Sequence, residues 1–246
     1  MAEETRKAAL VTGAGRRVGR AIAVELGRAG CDVAVHYHES QSGAAEVVRE
    51  IDDMGSRAMM LRGDLAEMPS WERVIEQAVA GLGRLDILVN NAAIFPEMRL
   101  EKFDAASWDR TFTLNVTAAV GLCHFAAGHL ARSGSGRIVN ILDIAVDRPW
   151  SSHLAYCASK AALANLTVSL AKALAPAVCV NGVSPGIAEF PEHYDEETRA
   201  TLVSKVPLKR AGTADEIARV VRFLCCEAEY LTGQIIRVDG GRSVAG

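Results

Sequence analysis

The sequence predicts an α/β protein: one domain over residues 1–246, built as a doubly wound parallel sheet with helices on both faces. Three observations predict it. Short β-branched runs alternate with longer segments rich in Ala, Leu, Glu and Arg, the pattern of repeated strand–helix–strand units. The runs Ile87-Leu88-Val89 and Ile138-Val139-Asn140-Ile141 are almost unbroken in their apolar character, as strands buried on both faces are. A glycine-rich turn lies between the first strand and the first helix.

Strands are expected at 8–12, 32–36, 57–61, 85–89, 137–142, 178–183 and 235–238. Helices are expected at 17–29, 42–54, 69–81 (opened by Pro69), 107–131, 154–174 and 214–225. Ligands of such sheets bind outside the carboxyl ends of the strands. The loops after Thr12, His36, Val89, Leu142 and Val183 should therefore converge on one site. There is no internal repeat, linker or low-complexity tract.

Composition narrows the partners. There are 27 basic and 30 acidic residues and a net charge of −3, with no long run of either sign. This argues against nucleic acid or an anionic membrane as partner and for a small-molecule substrate. No apolar stretch approaches the ~20 residues of a membrane span. The first residues are charged and lack the apolar stretch of a signal peptide. The 6 cysteines show no Cys-x-x-Cys pattern and no His at zinc-ligand spacing, so no metal is expected. They read as reduced core residues of a cytoplasmic protein.

Thr12-Gly13-Ala14-Gly15-Arg16-Arg17-Val18-Gly19 follows the first strand and opens the first helix. Glycines let the backbone turn tightly and approach a pyrophosphate, and the helix N-terminus offers free N–H groups. The spacing is G-x-G-x-x-x-G rather than the common G-x-G-x-x-G. Two arginines in the loop point to further negative charge. The acid that would accept a ribose 2′-OH belongs about twenty residues on, where the chain reads His36-Tyr37-His38-Glu39-Ser40. Arg16, Ser40, His36 and His38 suit a 2′-phosphate, which favours NADPH over NADH. Glu39 is the counterweight, since it can accept from a free 2′-OH.

Tyr156-Cys-Ala-Ser-Lys160 puts a phenol and an ammonium one helical turn apart on one face. A phenol at its free pKa of about 10 exchanges protons poorly at neutral pH. A neighbouring cation favours the phenolate and lowers that pKa. The pair is a candidate proton-transfer device.

Taken together, Thr12–Gly19, Asp64-Leu65, Asn90-Asn91-Ala92-Ala93, Asn115, Tyr156-x-x-x-Lys160, Asn181 and Pro185-Gly186 resemble the short-chain dehydrogenase/reductase family over nearly the whole chain. The resemblance implies a nicotinamide-dependent oxidoreductase on a seven-stranded Rossmann sheet, assembled as a homotetramer. It implies Tyr156 as general acid. Lys160 would hold the nicotinamide ribose and depress the tyrosine pKa, and Asn115 would position a water in the proton relay. It further implies Asp64 and Leu65 at the adenine, and Asn91, Ala92 and Ala93 near the cofactor ribose. The backbone at Pro185, Gly186 and Ile187 would line the nicotinamide. His124, His129 and His153 read as structural or surface residues.

Two departures narrow the substrate. The family's Ser, thirteen residues before the tyrosine, is Asp143 here. A carboxylate only accepts hydrogen bonds, so it helps if its pKa is raised or if the substrate presents N–H groups, as a nitrogen heterocycle does. Arg17 stands where the family has Gly, and its guanidinium is expected to reach both pyrophosphate and substrate. Both changes resemble the pteridine reductase branch, including the dihydromonapterin and dihydrofolate reductase-like members. That branch implies a flat ring held between nicotinamide and an aromatic, for which Phe95 is the candidate. The segment around 187–207, with several acids, reads as a substrate lid. Ala93, Glu39 and that lid depart from the branch, which leaves an ordinary ketone or 3-oxoacyl reductase as the alternative. A dinucleotide-binding regulator without chemistry is a third reading.

Overall fold

In the computed structural model, which describes residues 6–190 and 194–245, each apolar run forms a strand. These are β1 (Ala8–Val11), β2 (Asp32–Tyr37), β3 (Ala58–Arg62), β4 (Ile87–Asn90), β5 (Gly136–Ile141), β6 (Val178–Pro185) and β7 (Ile235–Val238). All neighbours pair in parallel, in the order β3-β2-β1-β4-β5-β6-β7. The helices are α1 (Arg17–Arg28), α2 (Gln41–Asp53), α3 (Pro69–Leu82), α4 (Ala105–Phe112), α5 (Ala118–Arg132), α6 (Leu154–Leu174), α7 (Glu196–Ser204) and α8 (Ala214–Cys226). The seven-stranded, three-layer Rossmann arrangement expected from the sequence is the one observed.

Strand side chains alternate between faces, and the central strands bury both sets. Val11, Val33, Val35, Ile87 and Val89 pack with Ile22, Leu26, Val47, Ile51, Val221 and Leu224 of α1, α2 and α8. Leu10, Leu88, Ile138 and Val180 pack on the other face with Trp71, Ile75, Leu122 and Leu130 of α3 and α5, and with Ala171 of α6. Each large aliphatic side chain so buried contributes about 1.5–3 kcal/mol. The chain reverses direction across the sheet between β1 and β4, which opens a crevice at their carboxyl ends.

Three expectations are corrected. The helix expected at 107–131 begins at Ala105, ends at Arg132 and is interrupted by a π turn at Thr113–Thr117. One residue more per turn leaves the apolar spacing on either side almost unchanged, so the pattern did not reveal it. The lid region contains a helix, α7, that buries none of its residues; periodicity has nothing to report where no face is apolar. Residues 191–193 of the expected lid lie outside the described residues. Finally, no apolar stretch was expected to approach the length of a membrane span, yet Ala105–Arg132 and Leu154–Leu174 are long and apolar enough to cross a membrane by length and composition; half of each apolar stretch is buried within this fold.

Asp86 pins the sheet under the crevice. Fully buried, it accepts from Ala8 N–H at 2.7 Å and takes the forked guanidinium of Arg84 at 2.8 and 2.6 Å. Asp86→Ala strands a buried backbone N–H and an arginine. The substitution is expected to cost about 2–3 kcal/mol of unfolding free energy, measured by urea unfolding at neutral pH.

Candidate active site

A cleft of about 460 Å3 opens at the carboxyl ends of the strands. At its phosphate end are Gly13, Gly15, Arg16, Arg17, Val18 and Gly19. At its adenosine end are His36, Tyr37, His38, Ser40, Asp64 and Leu65. Asn91, Ala92, Ala93 and Phe95 form one wall, and Asp143, Tyr156, Lys160, Pro185 and Gly186 the far end. Loops separated by more than a hundred residues thus meet, as the strand order requires.

The phosphate end fits an anion. Gly13 has φ +63°, and a Cβ on Gly19 would lie 2.3 Å from Gly13 O. Such a close approach admits only glycine. Arg16 precedes α1 with no side-chain cap, and the first turn of α1 holds no acid, so its N–H groups remain available to a phosphate. Arg17 adopts φ 51°, the left-handed backbone that glycine takes without cost; the family's glycine has left its backbone behind. Its Nε lies 3.5 Å from Glu189 at the start of the lid segment. Gly43 went unnoticed in the sequence: a Cβ there would lie 2.1 Å from Gly15 O, so α2 reaches the loop only because residue 43 is glycine.

Asn91 lines the cleft and also holds its phosphate end. Its Nδ2 donates to Thr12 O at 2.8 Å and Gly13 O at 3.2 Å. It braces the glycine turn, while Thr12 Oγ1 accepts from the N–H groups of Asn91 and Ala92. His36 braces the same turn. Gly13 N–H donates to its Nδ1 at 3.2 Å, which leaves Nε2–H to donate to Gly63 O at 3.2 Å. Burial pushes its pKa down to about 4. A neutral imidazole holds the loop and brings no charge to a phosphate. His38 is the exposed histidine, 3.8 Å from Glu39 and 3.7 Å from Asp64.

At the far end Tyr156 Oη donates to Asp143 Oδ2 at 2.9 Å. Asp143 Oδ1 also accepts from Ala145 N–H at 2.8 Å and so starts the short turn Ile144–Val146. Lys160 Nζ donates to Ile141 O at 2.7 Å and lies 5.8 Å from the Tyr156 ring centre. Burial lowers the Lys160 pKa to about 8, against the pull of Asp143. Burial raises that of Asp143, against Ala145, Tyr156, Lys160 and Arg242. The Tyr156 pKa is raised well above 10, first by burial and then by Asp143. The acidified phenol expected from the Tyr/Lys spacing is therefore not what the site holds, because desolvation and a nearer carboxyl group outweigh the ammonium. Tyr156 stays a neutral hydroxyl that can donate.

Asn115 lies in the π turn and outside the cleft lining. Its Oδ1 accepts from Ile94 N–H at 2.9 Å, and its Nδ2 donates to Ile94 O at 3.0 Å. Ile187 also misses the cleft: its carbonyl accepts from Gly212 N–H at 2.8 Å, and it lines a neighbouring hollow. Phe95 packs edge-on to Tyr156 at 4.5 Å and is stacked on His153 at 4.1 Å, with Trp150 beyond at 6.0 Å. His153, read as structural, is thus part of an aromatic wall beside the phenol. Trp150 carried no pattern that marked it. Arg110 of α4 and Leu114 of the π turn also line the cleft, and the sequence did not mark either.

A sequence profile described as enoyl-(acyl carrier protein) reductase, one of the short-chain profiles, matches residues 13–243. The chain belongs to the short-chain dehydrogenase/reductase family. It is 35% identical over 241 residues to the 3-oxoacyl-[acyl-carrier-protein] reductase FabG of Staphylococcus aureus, covering 96% of this chain and 97% of that one. The crystal structure of FolM alternative dihydrofolate reductase 1 from Brucella canis, complexed with NADP, superposes with a TM-score of 0.92 at 35% identity, covering 98% and 96% of the two chains. Acetoin dehydrogenase from Enterobacter cloacae superposes at 0.91 and 35% identity, covering 99% and 98%. The short-chain family members are oxidoreductases, and this chain carries their fold throughout.

The buried histidine gives a pH test. Its folded pKa, about 4, lies below the ordinary 6.5, so the unfolded chain binds the extra proton first. Its contribution is complete above pH 6.5 and is lost as pH falls towards 4, amounting to about 3 kcal/mol. Urea unfolding at about pH 7 and about pH 4.5 should show that loss. His36→Gln, which keeps an acceptor and a donor, should flatten the dependence.

Proposed function

We propose that the protein is an NADPH-dependent reductase of a flat nitrogen heterocycle of the dihydropterin or dihydrofolate type. One observation carries this reading: a half-buried carboxyl group, Asp143, stands beside the proposed proton donor and is hydrogen-bonded to Tyr156 Oη at 2.9 Å. A ring bearing N–H groups satisfies an ionised Asp143, and a ring nitrogen accepts from a protonated one. Phe95, which lines the cleft with Trp150 and His153 packed against it, suits a flat substrate, and the likeness to FolM supports the same class.

The glycine turn, the first turn of α1, Arg16 and Arg17 would hold the pyrophosphate. Asp64 and Leu65 would border the adenosine, His38 and Ser40 with Arg16 its 2′-phosphate, and Pro185 with Gly186 the nicotinamide. NADPH, when bound, supplies the hydride. Tyr156 gives the proton to the nitrogen next to the carbon that is reduced, and Lys160, a buried cation poised near pH 8, favours the phenolate that remains. Asp143 orients the ring and relays a proton to Tyr156. We extend the proposal to a cytoplasmic homotetramer.

A second reading, reduction of a small ketone or a 3-oxoacyl thioester, is favoured by the likeness to FabG and to acetoin dehydrogenase. Here Tyr156 would donate to a carbonyl oxygen and Asp143 would have to be protonated, since a carboxylate repels a developing alkoxide.

NADPH oxidation with dihydrobiopterin, dihydrofolate, diacetyl and an acetoacetyl thioester separates the two. Turnover of the pterins is expected. Tyr156→Phe should cost about 10²–10⁴-fold in kcat, with NADPH binding retained. Asp143→Ser should depress pterin reduction and spare or improve ketone reduction. Equal loss on both substrate types overturns the role given to Asp143. Arg17→Gly should stabilise the fold by about 1 kcal/mol, by relieving its left-handed backbone. The same change should weaken NADPH binding about tenfold by removing a charged donor, read by urea unfolding and fluorescence titration.

A further inference from the structure

We infer that Ser159 is the positioning residue that holds the proton donor against the aromatic wall. It sits one residue before Lys160 in α6 and is fully buried. Its hydroxyl donates to Tyr156 O at 2.7 Å and accepts from Asn115 Nδ2 at 3.1 Å. The same Asn115 amide grips Ile94 through both backbone groups, at 2.9 and 3.0 Å. One buried amide therefore joins three segments: the loop after β4, the π turn and the helix of the phenol.

The junction has a consequence for the reacting end. Ile94 precedes Phe95, whose ring meets Tyr156 edge-on at 4.5 Å. The far part of that loop is tied to the start of α6 by the Met98 backbone, which bonds Ser152 O and Leu154 N–H at 2.8 and 3.1 Å, and by the stack of Phe95 on His153 at 4.1 Å. The bonds through Ile94, Asn115 and Ser159 tie its near part, and without them the segment at Ile94 is free to pivot between β4 and Phe95. Neither Ser159 nor Asn115 lines the cleft, so their effect reaches the reaction only through Tyr156 and the wall. The Ser159 hydroxyl is the one link in this chain that truncation to Ala removes without opening a large cavity. Misplacement of reacting groups by about 1 Å can cost on the order of 10²-fold in rate, so a partial pivot should cost about tenfold.

The inference rests on Tyr156 as proton donor, and its test has one readout that needs no turnover. In Ser159→Ala, amide hydrogen exchange at Ile94 should speed up at least about tenfold, because its acceptor on Asn115 is no longer held. Exchange at Leu10 and Leu88 in the sheet should stay unchanged. With the substrate that the native enzyme reduces, kcat should fall about tenfold while the dissociation constant for NADPH stays within about twofold. Ser159→Thr, which keeps the hydroxyl, should recover most of the kcat. Ser159→Ala combined with Asn115→Ala should be no slower than Asn115→Ala alone. Unchanged exchange at Ile94, a kcat within twofold of native, or additive losses in the double variant would each overturn the role of Ser159. Full turnover by Tyr156→Phe would instead overturn the assignment of the donor, and the exchange result would stand apart from it.

Discussion

The hydrogen bond between Tyr156 and Asp143 is the constraint to which the rest of the site answers. Two groups that each form an anion lie 2.9 Å apart at the end of the cleft. Burial drives both towards their neutral forms; the carboxyl group pushes the phenol further that way, while the phenol's hydrogen bond pulls the carboxyl group back. A buried ammonium, Lys160, is the counterweight, and burial has already weakened its hold on its own proton. The three groups meet at the end of the cleft, with Tyr156 and Lys160 buried and Asp143 half-buried. Such groups exchange protons with a substrate that enters among them more readily than with bulk solvent.

The fold places these groups with few independent devices. β5 delivers Asp143 directly beyond its carboxyl end, and α6 delivers Tyr156 and Lys160 one turn apart. The ammonium returns to the strand by donating to Ile141 O at 2.7 Å. At the other end, the neutral His36 and Asn91 hold the glycine turn to β2, β3 and β4. Polar side chains that a sequence offers as ligands are in these two cases braces, and they leave the open N–H groups of α1 to meet the anion.

How much of this was legible follows from what leaves a periodic trace. Strands buried on both faces write unbroken apolar runs, and all seven were found to within two or three residues. The Tyr156/Lys160 spacing and the glycine turn follow from local geometry, so they were legible too. The π turn was not, since one extra residue in a helix barely shifts its apolar face. The direction of the Tyr156 pKa was read wrongly because sequence spacing reports the nearby cation but not the burial or the carboxyl group thirteen residues away. Asn91 and Ile187 were assigned by family position, but their bonds to the glycine turn and to Gly212 depend on tertiary contacts. Ser159, Trp150 and Gly43 gave no signal at all, because their work lies in contacts with distant segments.

Helix α7, in the segment read as a substrate lid, buries none of its residues, while the central strands of the sheet are packed on both faces. Little of the molecule's folding free energy is committed there. The segment proposed to cover a substrate is therefore the part whose sequence can be rewritten at least risk to the fold. A change of diet in this enzyme, in evolution or at the bench, can begin by exchanging that helix, with the proton-handling trio left as it stands.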